Sequence, residues 1–189
     1  QHIRNVEIDL VDIDQDSLTT LKLIIKKMNP PKNFSFRFFN KNFLDFEPID
    51  GKQLQLPIGN NHEYDLIIGN PPFGKINKAS KENVNLNSFQ KKSKNIFSYF
   101  LEKSIKTGKY IAFISPKSLI SAPEFDDLRK IILSRDVIRI IDHGEKAFDG
   151  DVKIETIGIT LGPQSNNLDV TVESLVTKTI QMHKKDYIF

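Results

Sequence analysis

The stretch Tyr64-Asp65-Leu66-Ile67-Ile68-Gly69-Asn70-Pro71-Pro72-Phe73-Gly74 combines an apolar strand with an unusual ending. Its apolar run, residues 64–68, predicts a buried β-strand. Two prolines follow, and each of them removes a backbone N–H donor and fixes φ. We therefore expect the carbonyl oxygens of Asn70 and Pro71 to lie near the end of the strand without partners in a β-ladder.

The side chains beside these carbonyl groups favour a binding site. Asn70 adds a further hydrogen-bond acceptor and a donor, and Phe73 adds an aromatic face. Rigid acceptors beside an aromatic ring suit a planar ligand ring that bears an exocyclic amine. The alternative interpretation is a Pro-Pro turn that only closes the strand.

The 189 residues, of which 39% are apolar, predict a single domain over residues 1–189 with a hydrophobic core. No apolar stretch approaches the roughly 18 residues of a membrane span, and the first residues lack the apolar region of a secretory signal. The absence of cysteine excludes a disulfide framework, and the four histidines do not have metal-ligand spacing. We expect a cytoplasmic protein that binds no metal and contacts no membrane.

The net charge of +3 is too small to indicate nucleic-acid binding, but lysines are concentrated in one segment. Residues 74–94 contain six lysines and one acidic residue, Glu82, which predicts a mobile basic loop directly after the Pro-Pro turn. Its position favours contacts with the phosphates of a nucleic acid, and a solvated insertion is the alternative. The predicted backbone contacts are Lys75, Lys78, Lys91, Lys92 and Lys94.

Strands alternate with helices along most of the chain. Helices are expected at residues 17–28, from residue 96 to Gly108, and at 121–134, where Ser121 and Glu124 resemble a capping box. The expected strands comprise residues 6–13, 35–39, 64–68, 110–115, 137–141, 153–161 and 168–176. This order predicts an α/β fold, a doubly wound sheet with a terminal antiparallel hairpin.

Three polar residues fall at or just beyond the carboxyl ends of predicted strands, namely Asp12, Asn42 and Asn70. Open α/β sheets bind their ligands outside the carboxyl ends of the strands. The sequence therefore predicts that these three residues line one crevice.

The Asn-Pro-Pro-Phe tetrapeptide, residues 70–73, resembles the motif of methyltransferases that use S-adenosylmethionine to modify planar nitrogens. These include N6-adenine DNA methyltransferases, guanine-N2 RNA methyltransferases and glutamine-N5 protein methyltransferases. Residues 94–103, 110–119 and 142–159 are similar to successive segments of the DNA adenine enzymes. The resemblance extends over roughly residues 6–162 and favours the adenine-specific DNA methyltransferases of restriction–modification systems.

This resemblance implies a Rossmann-like methyltransferase fold and roles for individual residues. The residues implied to bind the target amine and catalyse transfer are Asn70, Pro71, Pro72 and Phe73. Those implied to bind S-adenosylmethionine are Asp12, Ile13, Asn42 and Phe43, with Asp45 as an alternative to Asn42. The aromatic residues implied to stack on the target base are Phe73 and Phe148.

The implied reaction is methyl transfer to adenine N6 after the base leaves the duplex. Asn70 Oδ1 and the Pro71 carbonyl would accept both hydrogens of the amine and aim its lone pair at the methyl group. Double-stranded DNA is the expected partner, with a target-recognition domain or nuclease in the same or a separate chain.

The sequence departs from the family in one respect, because no Gly-rich turn precedes Asp12. We therefore expect a domain that is incomplete at its N-terminus and that binds the cofactor poorly by itself. Two other functions remain open. One is a guanine-N2 RNA or glutamine-N5 protein methyltransferase, and the other is a non-catalytic nucleic-acid-binding fragment.

Overall fold

The structure, a computed structural model, describes residues 5–47, 64–76, 94–145, 154–184 and 188. Backbone contacts divide the chain into two compact units, Gln1–Lys52 and Gln53–Phe189. Among the described residues, the first unit contains a two-stranded sheet and the second a six-stranded sheet. The single domain expected from the sequence stays a prediction.

The first unit is a βαβ motif. Strand β1 (Val6–Asp12) leads into helix α1 (Gln15–Met28), which returns the chain to β2 (Phe34–Asn40). The strands are parallel, with Val6 opposite Phe34 and Asp12 opposite Asn40. The carboxyl ends of both strands therefore lie side by side, and a short 3-10 helix, Phe43–Asp45, follows β2.

Helix α1 has specific signals at both ends. The Asp14 side chain accepts hydrogen bonds from the backbone N–H groups of Asp16 and Ser17 and forms the N-cap. At the other end Asn29 adopts the left-handed conformation with φ of 46°, and Pro30 follows. The helix predicted over residues 17–28 is confirmed, and it begins two residues earlier than predicted, at Gln15.

A partly buried ion pair joins the two strands of this unit. Asp9 lies opposite Arg37, whose Nε and Nη2 donate to the two carboxylate oxygens at 2.6 and 2.8 Å. The Asp9 side chain is only 4% exposed. The bidentate geometry compensates for the desolvation of this carboxylate and links β1 to β2.

The second unit is a mixed α/β layer structure. Its helices are α2 (Ile96–Thr107) and α3 (Asp126–Leu133). Its strands are β3 (Tyr64–Gly69), β4 (Gly108–Pro116), β5 (Asp136–Gly144), β6 (Thr156–Gly162), β7 (Asp169–Ser174) and β8 (Thr179–Lys184). Within the described ranges, no helix is both long and apolar enough to cross a bilayer.

The strand order in this sheet is β3-β4-β6-β5-β7-β8. Strands β3, β4, β5 and β7 run in one direction, and β6 and β8 run in the other. The carboxyl ends of β3, β4, β5 and β7 consequently share one edge of the sheet, which we call the carboxyl edge. This is the edge at which α/β sheets bind ligands.

The hydrophobic core of the second unit lies between the sheet and the two helices that the structure describes in it, α2 and α3. Strands β4 and β6 contribute cross-strand pairs such as Ile111 with Leu161 and Phe113 with Ile159. Helix residues such as Leu101 and Leu128 pack into the same cluster and are fully buried. Burying one such side chain contributes about 1.5–3 kcal/mol, so this layer provides most of the packing energy of the unit.

The structure corrects two local predictions. The capping box at Ser121 does not form, because a 3-10 turn, Pro123–Phe125, precedes α3 and its N-cap Ala122 makes no side-chain cap bond. Instead, Arg129 Nη1 donates to the carbonyl oxygens of Ala122 and Leu119, each at 2.9 Å. The terminal antiparallel hairpin is formed by β7 and β8, and β8 was not predicted.

Arg135 is a buried cation that joins three elements. It is 7% exposed, and its guanidinium donates to the carbonyl oxygens of Ile105, Gly108, Lys109 and Gly162. Burial lowers the pKa of its guanidinium from the ordinary value. The side chain thus satisfies carbonyl groups at the end of α2, the start of β4 and the end of β6.

Replacing this cation should destabilise the protein strongly. Arg135→Met leaves several buried carbonyl oxygens without donors, and each unsatisfied group costs about 1–3 kcal/mol. We expect a loss of about 3 kcal/mol or more in the free energy of unfolding, measured by urea denaturation. Arg139→Met is the control, because the ion pair between Arg139 and Glu173 is partly exposed and should contribute less than about 1 kcal/mol. Equal losses in the two variants would contradict this role.

The N-cap of α1 should make stability depend on pH. Hydrogen bonds from Ser17 and from the Asp16 N–H lower the pKa of Asp14 below its ordinary value. A lowered pKa adds stability above the unfolded-state pKa, and this stability is lost as pH falls through the folded-state pKa. The advantage of the wild type over Asp14→Asn in thermal unfolding should therefore shrink from about pH 7 to about pH 3. A difference in melting temperature between the wild type and Asp14→Asn that does not change with pH would contradict this effect of the Asp14 carboxylate.

Candidate active site

The Asn-Pro-Pro-Phe turn begins directly after β3, at the carboxyl edge. β3 ends at Gly69, opposite Phe113 of β4. A Cβ atom on Gly69 would lie 2.8 Å from Phe113 Cε1, so only glycine permits this close approach. Asn70 follows with an exposed side chain, while Pro71 is buried and Pro72 is exposed. The turn is thus seated on the sheet and presents the Asn70 amide to solvent.

Phe73 is held by a series of aromatic contacts. Its ring centroid lies 6.1 Å from that of Phe97, and the planes meet at 87°. Phe97 makes a similar edge-to-face contact with Phe125 at 6.1 Å and 82°. Phe97 and Phe125 are fully buried, whereas Phe73 is half-buried. The core therefore fixes the ring of Phe73 and leaves part of it accessible.

The segment after the turn pairs with the start of α2. Ile96 N donates to the Gly74 carbonyl at 2.8 Å, and Ile76 N donates to the Lys94 carbonyl at 2.7 Å. Lys75 and Asn95 form an antiparallel bridge between these two bonds. The ends of the predicted basic loop are therefore joined at the carboxyl edge. Exposed Lys75 and Lys94 lie there, while Lys78, Lys91 and Lys92 lie outside the described residues.

Lys117 connects three strands at the same edge. Its Nζ lies 3.2 Å from Asp142 Oδ2, near the end of β5, and 3.2 Å from Glu155 Oε1, just before β6. Burial opposes the charged amine, but the hydrogen bonds with these carboxylates outweigh it and raise the pKa of Lys117. Two carboxylates balance this charge, so Lys117 stabilises the edge instead of offering a free cation.

The predicted cofactor residues Asp12 and Ile13 lie at the end of β1. Both are exposed, and Asp12 Oδ1 accepts the Asp14 N–H at 2.8 Å. Asn40 Nδ2 donates to the Ile13 carbonyl at 2.8 Å and fixes this turn to the end of β2. The second carboxylate oxygen of Asp12 and the exposed Ile13 side chain could contact a ribose hydroxyl and the face of an adenine ring.

Asn42 and Phe43 lie just beyond the end of β2. Asn42 Oδ1 accepts the Leu44 N–H at 3.1 Å, and its Nδ2 donates to Asp45 Oδ2 at 3.0 Å. Asn42 is therefore the N-cap of the 3-10 helix that contains half-buried Phe43 and exposed Asp45. Its Oδ1 keeps one lone pair for a ligand amine, in a fixed orientation.

The structure thus groups the predicted residues in two sets. Asp12, Ile13, Asn42 and Phe43 lie at the carboxyl ends of β1 and β2 in the first unit, and the 70–73 turn lies with Lys75 and Lys94 in the second. The single crevice predicted for Asp12, Asn42 and Asn70 stays a prediction. Phe148 lies outside the described residues, and its role also stays a prediction.

Sequence reasoning missed Asn95 and Lys117. An asparagine directly before an amphipathic helix is an N-cap signal, and this signal could have identified Asn95. Lys117 carries no comparable local signal, because its carboxylate partners are 25 and 38 positions away along the chain.

A curated relative shares part of this sequence. The type II methyltransferase M.PstI of Providencia stuartii is 28% identical over 120 residues, which are 60% of this chain and 24% of that protein. The chain therefore spans about a quarter of the length of this relative.

Solved structures share the fold. The type IIG restriction endonuclease BpuSI matches with a TM-score of 0.69 at 15% identity, over 96% of this chain and 25% of that one. A Listeria monocytogenes protein described as a class I S-adenosylmethionine-dependent methyltransferase matches with a TM-score of 0.65 at 15% identity, over 93% of this chain and 51% of that one. These likenesses show that the fold is that of class I methyltransferases.

The sequence profile of one protein family covers most of the chain, from residue 5 to residue 148. The matched region includes β1 to β5 and both sets of predicted site residues. The chain therefore belongs to the Eco57I restriction-modification methylase family.

Proposed function

We propose that this chain transfers a methyl group from S-adenosylmethionine to N6 of a flipped-out adenine in DNA, as the modification part of a restriction–modification system. The observation that carries this proposal is the turn at residues 70–73. In a chain of a modification methylase family, it presents an exposed amide beside a core-anchored aromatic ring at the carboxyl edge.

The acceptor groups of the turn suit an aromatic amine. The lone pair of adenine N6 is delocalised into the ring, so the amine is a weak nucleophile. Asn70 Oδ1 and the Pro71 carbonyl would accept its two hydrogens and direct the lone pair at the methyl carbon. The rigidity of the two prolines means that little positioning entropy is lost during the reaction.

Phe73 would stabilise the base outside the duplex. Extrusion costs a few kcal/mol of unstacking and unpairing. Stacking on an aromatic ring returns about 1–3 kcal/mol per base. Because Phe97 and Phe125 already fix Phe73, its ring needs little further ordering when the base arrives. Phe148 is proposed as the second stacking residue.

The first unit would hold the cofactor, which supplies an electrophilic methyl group on a sulfonium. Asp12 would accept the ribose hydroxyls, and Ile13 would pack on the adenine. Asn42 Oδ1 would accept a hydrogen bond from the amine of that adenine. Phe43 would pack on the face of the adenine opposite Ile13. The exposed carboxylate and the oriented amide at adjacent strand ends support these roles.

Double-stranded DNA is the proposed partner. It would be contacted by Lys75, which is part of the Lys75–Asn95 bridge, and by Lys94, which directly precedes Asn95. BpuSI is described as a type IIG restriction endonuclease, which supports a target-recognition domain or nuclease in the same or a separate chain. Modification of cellular DNA would place the protein in the cytoplasm.

The direct test is to express the complete gene product in a bacterial host without DNA methyltransferases. We expect N6-methyladenine in the host DNA, within one recurring sequence, when that DNA is read by modification-sensitive sequencing. Parallel assays of the purified protein on structured RNA and on release factor examine the alternative substrates. Methyl transfer to either of these, with unmodified DNA, would overturn the proposal.

Removing the Asn70 amide should abolish methyl transfer and leave the binding of S-adenosylmethionine unchanged. For Asn70→Ala we expect the single-turnover rate on DNA to fall about 100-fold or more, because one of two positioning acceptors is lost. The dissociation constant of S-adenosylmethionine, measured by calorimetry, should not change. Asn166→Ala, in an exposed loop before β7, is the matched control and should behave as wild type. A fully active Asn70→Ala enzyme would remove the basis of the mechanism.

Neutralising the lysines at the base of the basic segment should weaken the salt dependence of DNA binding. For Lys75→Gln with Lys94→Gln, we expect the slope of log K against log salt to decrease by about 2, since each phosphate contact contributes about 0.9. The same charge change in Lys109→Gln with Lys184→Gln lies at the opposite edge of the sheet and should leave the slope unchanged. Equal effects of the two pairs would contradict a localised interface.

A further inference from the structure

Asn95 occupies the junction between the Asn-Pro-Pro-Phe turn and helix α2. Its Oδ1 accepts the Phe97 N–H at 3.2 Å, which makes Asn95 the N-cap of α2. The same oxygen accepts the Gly74 N–H at 3.4 Å, directly after the turn. One side-chain atom thus bonds both the first turn of the helix and the end of the predicted catalytic segment.

The contacts around Asn95 connect this junction to the position of the turn at residues 70–73. The backbone bond from Ile96 to Gly74 at 2.8 Å runs beside the Asn95 bonds. Phe97, whose N–H binds Asn95, is also the ring against which Phe73 packs. Phe73 and Gly74 are therefore both held by the start of α2. Phe73 packs its ring against Phe97, and the backbone of Gly74 is hydrogen-bonded to Asn95 and Ile96.

Helix α2 is itself well anchored. Phe97, Leu101 and Ile105 are buried in the core of the second unit. The close packing of these side chains allows the helix little displacement. A segment that is hydrogen-bonded to the start of the helix is therefore held in place as well. Asn70 and Pro71 lie between this anchored end and the last pair of the β3–β4 ladder, so both ends of the turn are fixed.

We propose that Asn95 is a positioning residue for methyl transfer: its side chain couples the N-terminus of α2 to Gly74 and sets the turn at residues 70–73 against the target base. This inference rests on the proposed function, since it assigns the turn to the reacting amine. Asn95 does not touch the amine; it acts through Gly74 and Phe73.

Three substitutions separate this role from ordinary helix capping. Asn95→Ser keeps a side-chain acceptor for the Phe97 N–H, but the shorter side chain does not reach Gly74, which is already 3.4 Å from the longer one. Asn95→Asp keeps an acceptor oxygen at the same length, and its charge is favourable at a helix N-terminus. Asn95→Ala removes both bonds.

The experiment compares these variants in the complete gene product, with long unmethylated duplex DNA and labelled S-adenosylmethionine under single-turnover conditions. For Asn95→Ser we expect a transfer rate about three- to tenfold below wild type, with an unchanged melting temperature and an unchanged dissociation constant for the cofactor. Asn95→Ala should lose rate to a similar extent and also melt at a lower temperature. Asn95→Asp should restore both properties to within about twofold of wild type.

Each outcome discriminates. If Asn95→Ser transfers methyl groups at the wild-type rate, Asn95 only caps the helix and the inference is overturned. If Asn95→Asp is as slow as Asn95→Ser, the acceptor is not what matters and the inference is again overturned. If the wild-type protein modifies no DNA at all, the proposed function fails, and this result is independent of the variants.

Discussion

Gly69 lies opposite Phe113 at the last pair of the parallel β3–β4 ladder, and this contact fixes where the strand ends. The Phe113 ring occupies the space in which a Cβ atom on Gly69 would lie. Because Phe113 belongs to the buried cluster of the second unit, the end of β3 is set by the core. Pro71 and Pro72 cannot extend the ladder, so the chain must leave the sheet at Asn70.

The same core determines how the aromatic part of the site is presented. The edge-to-face contacts from Phe125 to Phe97 and from Phe97 to Phe73 connect fully buried rings to a ring at the surface. Each contact of this kind contributes about 0.5–1.5 kcal/mol beyond the area that it buries. Stability and the proposed role of Phe73 therefore depend on the same side chains, and a smaller residue at Phe97 should weaken both.

The sequence predicted the elements whose signals are local and periodic. The helix that ends at Met28 and the strand before Asn70 are examples, because each depends on neighbouring residues. The predicted burial of that strand is wrong in part, because Leu66 and Ile68 are exposed in the structure. Strand β8 was missed: its two apolar residues, Ile180 and Met182, alternate with polar residues over only six positions, and all six residues are exposed. The Ser121 capping box does not form because the chain makes a 3-10 turn, Pro123–Phe125, before α3, and the N-cap position of that turn is Ala122.

For the candidate site, the sequence predicted which residues are involved, but it did not predict the hydrogen bonds that orient them. It indicated that Asn70 is followed by rigid prolines, but not that Gly74 pairs with the start of α2, because residues 77–93 intervene. It identified Asn42 as a candidate cofactor residue and Asp45 as its alternative, but not that Asp45 accepts a hydrogen bond from the Asn42 amide. In both cases the missing information is a hydrogen bond whose partner cannot be identified from hydropathy or spacing.

The division of the predicted roles between two units has a chemical consequence. The residues proposed to bind the ribose and the adenine of a cofactor lie at the paired ends of β1 and β2, where the Asn40 and Asn42 amides fix them locally. The residues proposed to bind the target amine are fixed by β3, β4 and α2. The hydrogen bonds named for Asn40 and Asn42 join residues of the first unit, and those named for Gly74 and Ile76 join residues of the second. Under the proposed roles, a substitution at Asn42 should change cofactor affinity, and one at Asn70 should change the rate of transfer.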